Sequence, residues 1–144
     1  MTLIQHAPIA DISTLARVVD EIWQRGDLDT IDHLYDRDFL GHDPQLIVPL
    51  SGRKDLRRHI SACRTAFPDL RVAIEDVVIA ADRLACRYTA RATHLGPLRE
   101  LPATGQRVTV TGIGLIRFGR DGRIAEQWSC TDTLRLIRQL RVAR

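Results

Sequence analysis

The chain has 144 residues, enough for one domain with its own core and too few for two comfortable ones. Its formal charge of +3 comes from 21 basic side chains, nearly all arginine, dispersed among 18 acidic ones, which argues against a clustered nucleic-acid-binding face. No apolar run approaches the ~18 residues of a membrane span, and the opening MTLIQHAPIA lacks the charged start and apolar block of a signal peptide, so a cytoplasmic location is expected.

A single domain over residues 1–144 is expected, with residues 1–10 flexible. From Asp11 the series Ile12, Leu15, Val19, Ile22 and Trp23 predicts a helix, capped by Asp11 or Ser13 and stopped at Gly26. DLDTIDHLYDRDF predicts a second short helix with Leu28, Ile31, Leu34 and Tyr35 on one side. HDPQLIVPLSG carries two prolines and a glycine and reads as a loop. RKDLRRHISACRTAF predicts a third helix with the stripe Leu56, Ile60, Cys63 and Phe67.

The period then changes from helical to two. RVAIEDVVIA, RLACRYTARATH, RVTVTGIGLIRF and RIAEQWSCTD predict four strands, joined by the compact turns AADR and GRDGR and by the longer LGPLRELPATGQ. DTLRLIRQL returns to helical spacing with Leu134, Ile137 and Leu140. Helices first and strands afterwards predict an α+β domain, a curved antiparallel sheet with helices packed on one face. The arginines of GRKDLRR and those at 135, 138, 141 and 144 are expected to form solvated faces. Cys63, Cys86 and Cys130, odd in number and without CxxC spacing, predict buried free thiols; no metal site is expected.

Several phrases, taken in order, resemble the SnoaL-like polyketide cyclase family within the nuclear-transport-factor-2-like superfamily. They are DFLGHDP, GRKDLRRHI, FPDLRVAIEDVVIAADRLACRYTARATHLGPL, LPATGQRVTVTGIGLIRFGRDGRIAEQW and DTLRLIRQL, which cover almost the whole chain from the first helix. The resemblance implies a cone-shaped sheet with the N-terminal helices on its concave face, a pocket open at one end, a homodimer through the sheet, and no cofactor. It also implies a hydrophobic small-molecule substrate and one of two activities, aldol-type ring closure of a polyketide or cofactor-independent hydroxylation. An isomerase and a non-catalytic, dimeric small-molecule-binding module remain alternatives, since one fold hosts many activities.

Counting by two along the last strand places Ile124, Glu126, Trp128, Cys130 and Asp132 on one face. If that face is concave, the Asp132 carboxylate lies in an apolar cavity, where burial brings it toward working pH as a general acid or base. Asp immediately before TLRLIRQL is equally an N-cap. The resemblance places a catalytic aspartate at this position. It also places a pocket histidine at His42, which could polarise a carbonyl or share a proton with Asp132; a hydrogen-bonded structural role is the alternative. Asp43, before Pro44, reads as a turn residue.

Leu84, Cys86, Tyr88, Ala90 and Ala92 alternate toward His94, so Tyr88 is a candidate pocket wall whose hydroxyl can donate to a developing enolate, or else a core residue. His94 is expected at the surface of a strand end. Of the aromatic residues, Trp128 is retained as a substrate-binding wall together with Cys130. Gly114, in the phase of Gly112 and Ile116, stands where many relatives carry a polar side chain.

Overall fold

The computed structural model describes residues 9–141, so most of the stretch expected to be flexible, and Arg144, lie outside the described residues. Ala10, inside that stretch, is buried and its N–H donates to the Ala81 carbonyl at 3.2 Å.

Asp11 caps the first helix by accepting the Ser13 N–H at 2.9 Å. The helix α1, Ile12–Arg17, widens into a π-helical turn over Val18–Gln24, where the Arg25 N–H reaches the Asp20 carbonyl at 3.1 Å. Leu15, Val18 and Ile22 are buried, whereas Ile12, expected in the apolar stripe, is exposed. Gly26, at φ +74, ends the helix in the left-handed region that favours glycine.

The expected second helix is much shorter than its sequence pattern. A 3-10 turn, Leu28–Thr30, leads into one α-helical turn, α2 (Ile31–Leu34), and at Tyr35 the chain extends into strand β1, Tyr35–His42. Strand pairing overrides the local pattern here. Tyr35 and Phe39 both enter the core, ring edge against ring face at 5.0 Å, and β1 pairs in parallel with the last strand. A two-residue strand β2, Leu50–Ser51, lies inside the expected loop. Helix α3, Gly52–Ala66, follows as expected, burying Leu56, Ile60 and Ala66.

Strands β3 (Arg71–Ala80), β4 (Arg83–Thr93), β5 (Arg107–Phe118) and β6 (Ile124–Thr131) match the alternating stretches. Helix α4, Thr133–Arg141, follows Asp132. The sheet has six strands in the order β2-β1-β6-β5-β4-β3, and the β1–β6 pair alone is parallel. Its inner face carries Leu84, Cys86, Ile116, Phe118 and Ile124 against Leu15, Ile22, Ile31 and Ile60 of the helical layer. This is the α+β arrangement with helices on one sheet face. No described helix is long and apolar enough to cross a membrane.

Two expectations fail in the loops and strands. His94 is fully buried rather than at the surface, because the connection 94–106 folds over the end of α3. The Leu95 and Gly96 N–H groups both reach the Ala66 carbonyl, the Thr104 N–H donates to His94 Nδ1 at 3.2 Å, and the Phe67 ring lies 5.4 Å from the imidazole. Cys86 is buried and Cys63 half-buried, but Cys130 is exposed, so buried free thiols describe two of the three cysteines at most.

Candidate active site

The inner wall of the sheet is built around a gap. Gly112 on β5 pairs with Tyr88 on β4 and with Thr131 on β6. A Cβ on Gly112 would stand 2.3 Å from the Tyr88 hydroxyl oxygen, so the missing side chain lets the Tyr88 ring lie across β5. The Tyr88 hydroxyl thereby meets Thr131 Oγ1 at 2.6 Å. Burial raises the Tyr88 pKa, partly offset by the Thr131 hydrogen bond, so the phenol keeps its proton at neutral pH and remains a donor. Both side chains are only half-buried, so the hydroxyl pair is not sealed in the core.

Helix α3 carries a second set of polar side chains. Its stripe Leu56, Ile60 and Cys63 also carries His59, because residues three and four apart share a helix face. His59 Nε2 lies 3.9 Å from Cys63 Sγ, and the His59 ring meets Trp23 edge-on at 6.5 Å. Arg64 fixes that corner by donating to the Trp23 and Gln24 carbonyls at 2.5 and 3.0 Å. Burial lowers the His59 pKa, opposed by the charge of Asp43, and pushes the Cys63 thiol up to about 11. The Asp43 carboxylate adds a smaller charge-based influence on His59, Cys63 and Tyr88, each of which is shifted first by burial. It also accepts the Gln45 N–H at 2.9 Å, the turn expected of an aspartate before Pro44.

The residues singled out in the sequence divide between the two sheet faces. Between Phe118↔Ile124 and Arg117↔Glu126, strand β6 advances two residues while β5 advances one, a β-bulge at Ala125. Ile124 therefore faces the core, whereas Glu126, Trp128 and Cys130 turn to the convex face, and Gln127, Ser129 and Thr131 turn inward. Of the expected common face of Ile124, Glu126, Trp128, Cys130 and Asp132, Glu126, Trp128 and Cys130 stay together, but on the convex side and without Ile124.

Trp128 and Cys130 instead line a shallow convex groove of about 510 Å³ with Ile113, Leu115, Asp43 and Pro44. His42 also stands at this groove. Its ring stacks on Trp128 at 5.2 Å, and its Nε2 meets Glu126 Oε2 at 2.7 Å. That hydrogen bond, with Arg117 adding at 3.2 Å, holds Glu126 below the usual carboxylate range. Asp132 is exposed one residue beyond Thr131, and its Oδ1 accepts the Arg135 N–H at 3.1 Å as the cap of α4. The apolar enclosure expected around its carboxylate is absent.

Tyr88 is thus the one residue of the expected site on the concave wall; its partner Thr131, and the half-buried His59 of α3, are residues that sequence reading passed over. The signal for His59 was its place on the α3 stripe, masked by the arginines around it. The signal for Thr131 was hidden by the bulge. Among the described residues, no group of three or more His, Cys, Asp and Glu side chains has the arrangement of a metal site.

A family model described as SnoaL-like polyketide cyclase matches residues 13–140. No curated protein matches the chain. Among solved structures, a candidate SnoaL-like polyketide cyclase from Jannaschia sp. CCS1 superposes with a TM-score of 0.87 at 22% identity, covering 97% of this chain and 99% of that one; it supports the fold. IdmH, a candidate polyketide cyclase from Streptomyces antibioticus, is 29% identical with a TM-score of 0.79 over 91% of this chain and 98% of its own. AclR, a candidate hydroxylase from Streptomyces galilaeus, is 28% identical with a TM-score of 0.78 over 90% and 79%.

Proposed function

Because the chain belongs to the SnoaL-like polyketide cyclase family and has its nuclear-transport-factor-2-like fold, we propose that its concave cleft catalyses aldol-type ring closure of a hydrophobic polycyclic polyketide by proton transfer. The observation that carries this reading is the Tyr88 hydroxyl, held at 2.6 Å from Thr131 across the gap at Gly112 and only half-buried on the inner face of the sheet. A phenol that keeps its proton is a hydrogen-bond donor for the oxygen that becomes negative when a carbon next to a carbonyl is deprotonated. Extended conjugation in the substrate shares that charge and lowers the demand on the protein. The role in polyketide biosynthesis belongs to the same proposal.

The test is turnover of an anthracycline-type polyketide ester, read by mass spectrometry with and without oxygen. An isomeric product formed equally in both conditions is expected. A gain of one oxygen atom would favour the hydroxylase reading, which the similarity to AclR supports, and no product from a well-folded protein would remove this substrate class.

Asp132 and His42, the groups to which the resemblance assigned the proton chemistry, stand outside the concave wall. Asn caps a helix nearly as well as Asp, so Asp132→Asn isolates the carboxylate from the cap. Turnover within about threefold of the parent and an unchanged melting temperature are expected, the α4 cap being worth roughly 1 kcal/mol whichever of the two supplies it. A loss of tenfold or more would return proton transfer to Asp132.

The convex face suits a homodimer. Ile113 and Val78 are exposed there, and Trp128 lies beside them on the same sheet surface. Ile113→Arg would place a charge at the centre of that surface. A sedimentation shift from dimer to monomer is the expected result, and an unchanged sedimentation coefficient would move the interface elsewhere.

A further inference from the structure

We propose that Arg71, Arg91 and Arg107 form a binding site on the convex face of the sheet for a small molecule that carries a diphosphate. The site is separate from the concave wall and goes beyond the ring-closing activity. Strand register, exposure and the partners of each arginine carry it.

On β4 the inward positions are Leu84, Cys86 and Tyr88, so Arg83, Arg87 and Arg91 take the convex side. Arg71 of β3 stands directly opposite Arg91, which places their Cβ atoms about 4.5–5.5 Å apart. Arg107 of β5 is paired with Thr93, two residues along β4 from Arg91, and is its diagonal neighbour on the same face at about 7–8 Å. All three arginines are exposed.

Elsewhere the convex face compensates its arginines. Arg87 meets the Asp76 carboxylate at 2.7 Å, and Arg117 meets Glu126 at 3.2 Å. Arg83 lies 5.7 Å from the centre of the Trp128 ring and 3.9 Å from Asp82. Arg83 and Arg117 also stand directly opposite each other, so the like-charged pair occurs twice in the sheet and is compensated once. Among the described residues, Arg71, Arg91 and Arg107 form no ion pair. The acidic residues nearest in sequence are placed otherwise. Asp69 accepts the Thr93 N–H and hydroxyl at 2.7 and 2.6 Å, Glu75 occupies the bulge of β3 between Ile74 and Asp76, and Asp76 holds Arg87.

Like charges directly opposite one another destabilise a sheet, and a bound anion offsets that repulsion. Each guanidinium is a planar fork that can take two oxygens of one phosphate. Arginines on three neighbouring strands extend over two inter-strand spacings, about 10 Å, which exceeds one phosphate group and suits two joined ones. Arg91 is four residues along β4 from Arg87, the partner of Ile113, so the cluster lies about 13 Å from the centre of the proposed dimer surface.

Inorganic pyrophosphate is the probe, titrated into the full chain by calorimetry at fixed ionic strength, with sulfate as the reference anion. Saturable binding of one pyrophosphate per chain is expected, about tenfold or more tighter than sulfate, because a second charged group adds at least one charge-assisted contact. Arg91→Gln should weaken it about tenfold or more. Arg87→Gln, which lies farther along the strand and loses a partner in Asp76, should keep the affinity within about twofold. Without anion, Arg91→Gln should melt roughly 1–3 °C above the parent, since the opposed charges are relieved.

Pyrophosphate binding that never saturates, or that is the same in Arg91→Gln as in the parent, would overturn the site. A lower melting temperature for Arg91→Gln together with a smaller sedimentation coefficient would overturn it as well, by showing that a second copy of the chain covers these arginines.

Discussion

Tyr88→Phe is expected to lower kcat about 10²–10³-fold on a polyketide ester that the wild type cyclises, with KM nearly unchanged. The hydroxyl is a donor whose value is realised when negative charge develops on the substrate oxygen, and losing one such donor typically has an effect of this size. The fold should survive the change. Phe keeps the ring that packs over Gly112, and Thr131 is half-exposed, so water can replace the lost partner. A net loss of about 1 kcal/mol, roughly 2–4 °C in melting temperature, is expected from the missing hydrogen bond. Thr131→Val should produce a smaller loss of turnover, because it frees the phenol without removing it. Equal turnover by Tyr88→Phe and wild type would remove the hydroxyl pair from the mechanism.

The largest expected effect on stability lies far from this wall, at Gly96. A Cβ there would stand 2.1 Å from the Thr65 carbonyl oxygen and 2.9 Å from its carbon, both main-chain atoms of α3. The same segment is tied to α3 by the Leu95 and Gly96 N–H groups, which donate to the Ala66 carbonyl at 3.0 and 3.2 Å. Gly96→Ala cannot keep both the helix end and these two bonds, and the loop that buries His94 must lift. Overpacking of this kind costs about 3 kcal/mol or more, a fall of roughly 6–12 °C in melting temperature. Gly114→Ala is the control, since its Cβ would meet Cys86 Sγ at an ordinary 3.5 Å. Thermal unfolding followed by circular dichroism separates the two, and similar melting temperatures would refute the close docking of the loop on α3.

The elements with a strong internal period were legible in the sequence. Strands Arg71–Ala80 and Arg107–Phe118 have the bounds that their alternation predicts, and helix Gly52–Ala66 lies where its apolar spacing puts it. Segment 28–42 was not legible in this way. Ile31, Leu34 and Tyr35 have helical spacing, but the free edge of β6 and the aromatic pair Tyr35–Phe39 draw the chain into a strand. Within the candidate site, Tyr88 could be read because β4 alternates through positions 84, 86 and 88 with no irregularity in its pairing to β5.

By itself the sequence determined the type and order of most elements, and with them the α+β class, because helical and strand periods are properties of neighbouring residues. It also carried the family likeness over nearly its whole length. Only the tertiary structure decided which side chains meet. One extra residue at the Ala125 bulge reverses the two faces of β6, sending Trp128 and Cys130 outward and Thr131 inward to Tyr88. A strand has a period of two, so a slip of one residue exchanges its faces, and no local pattern records the slip.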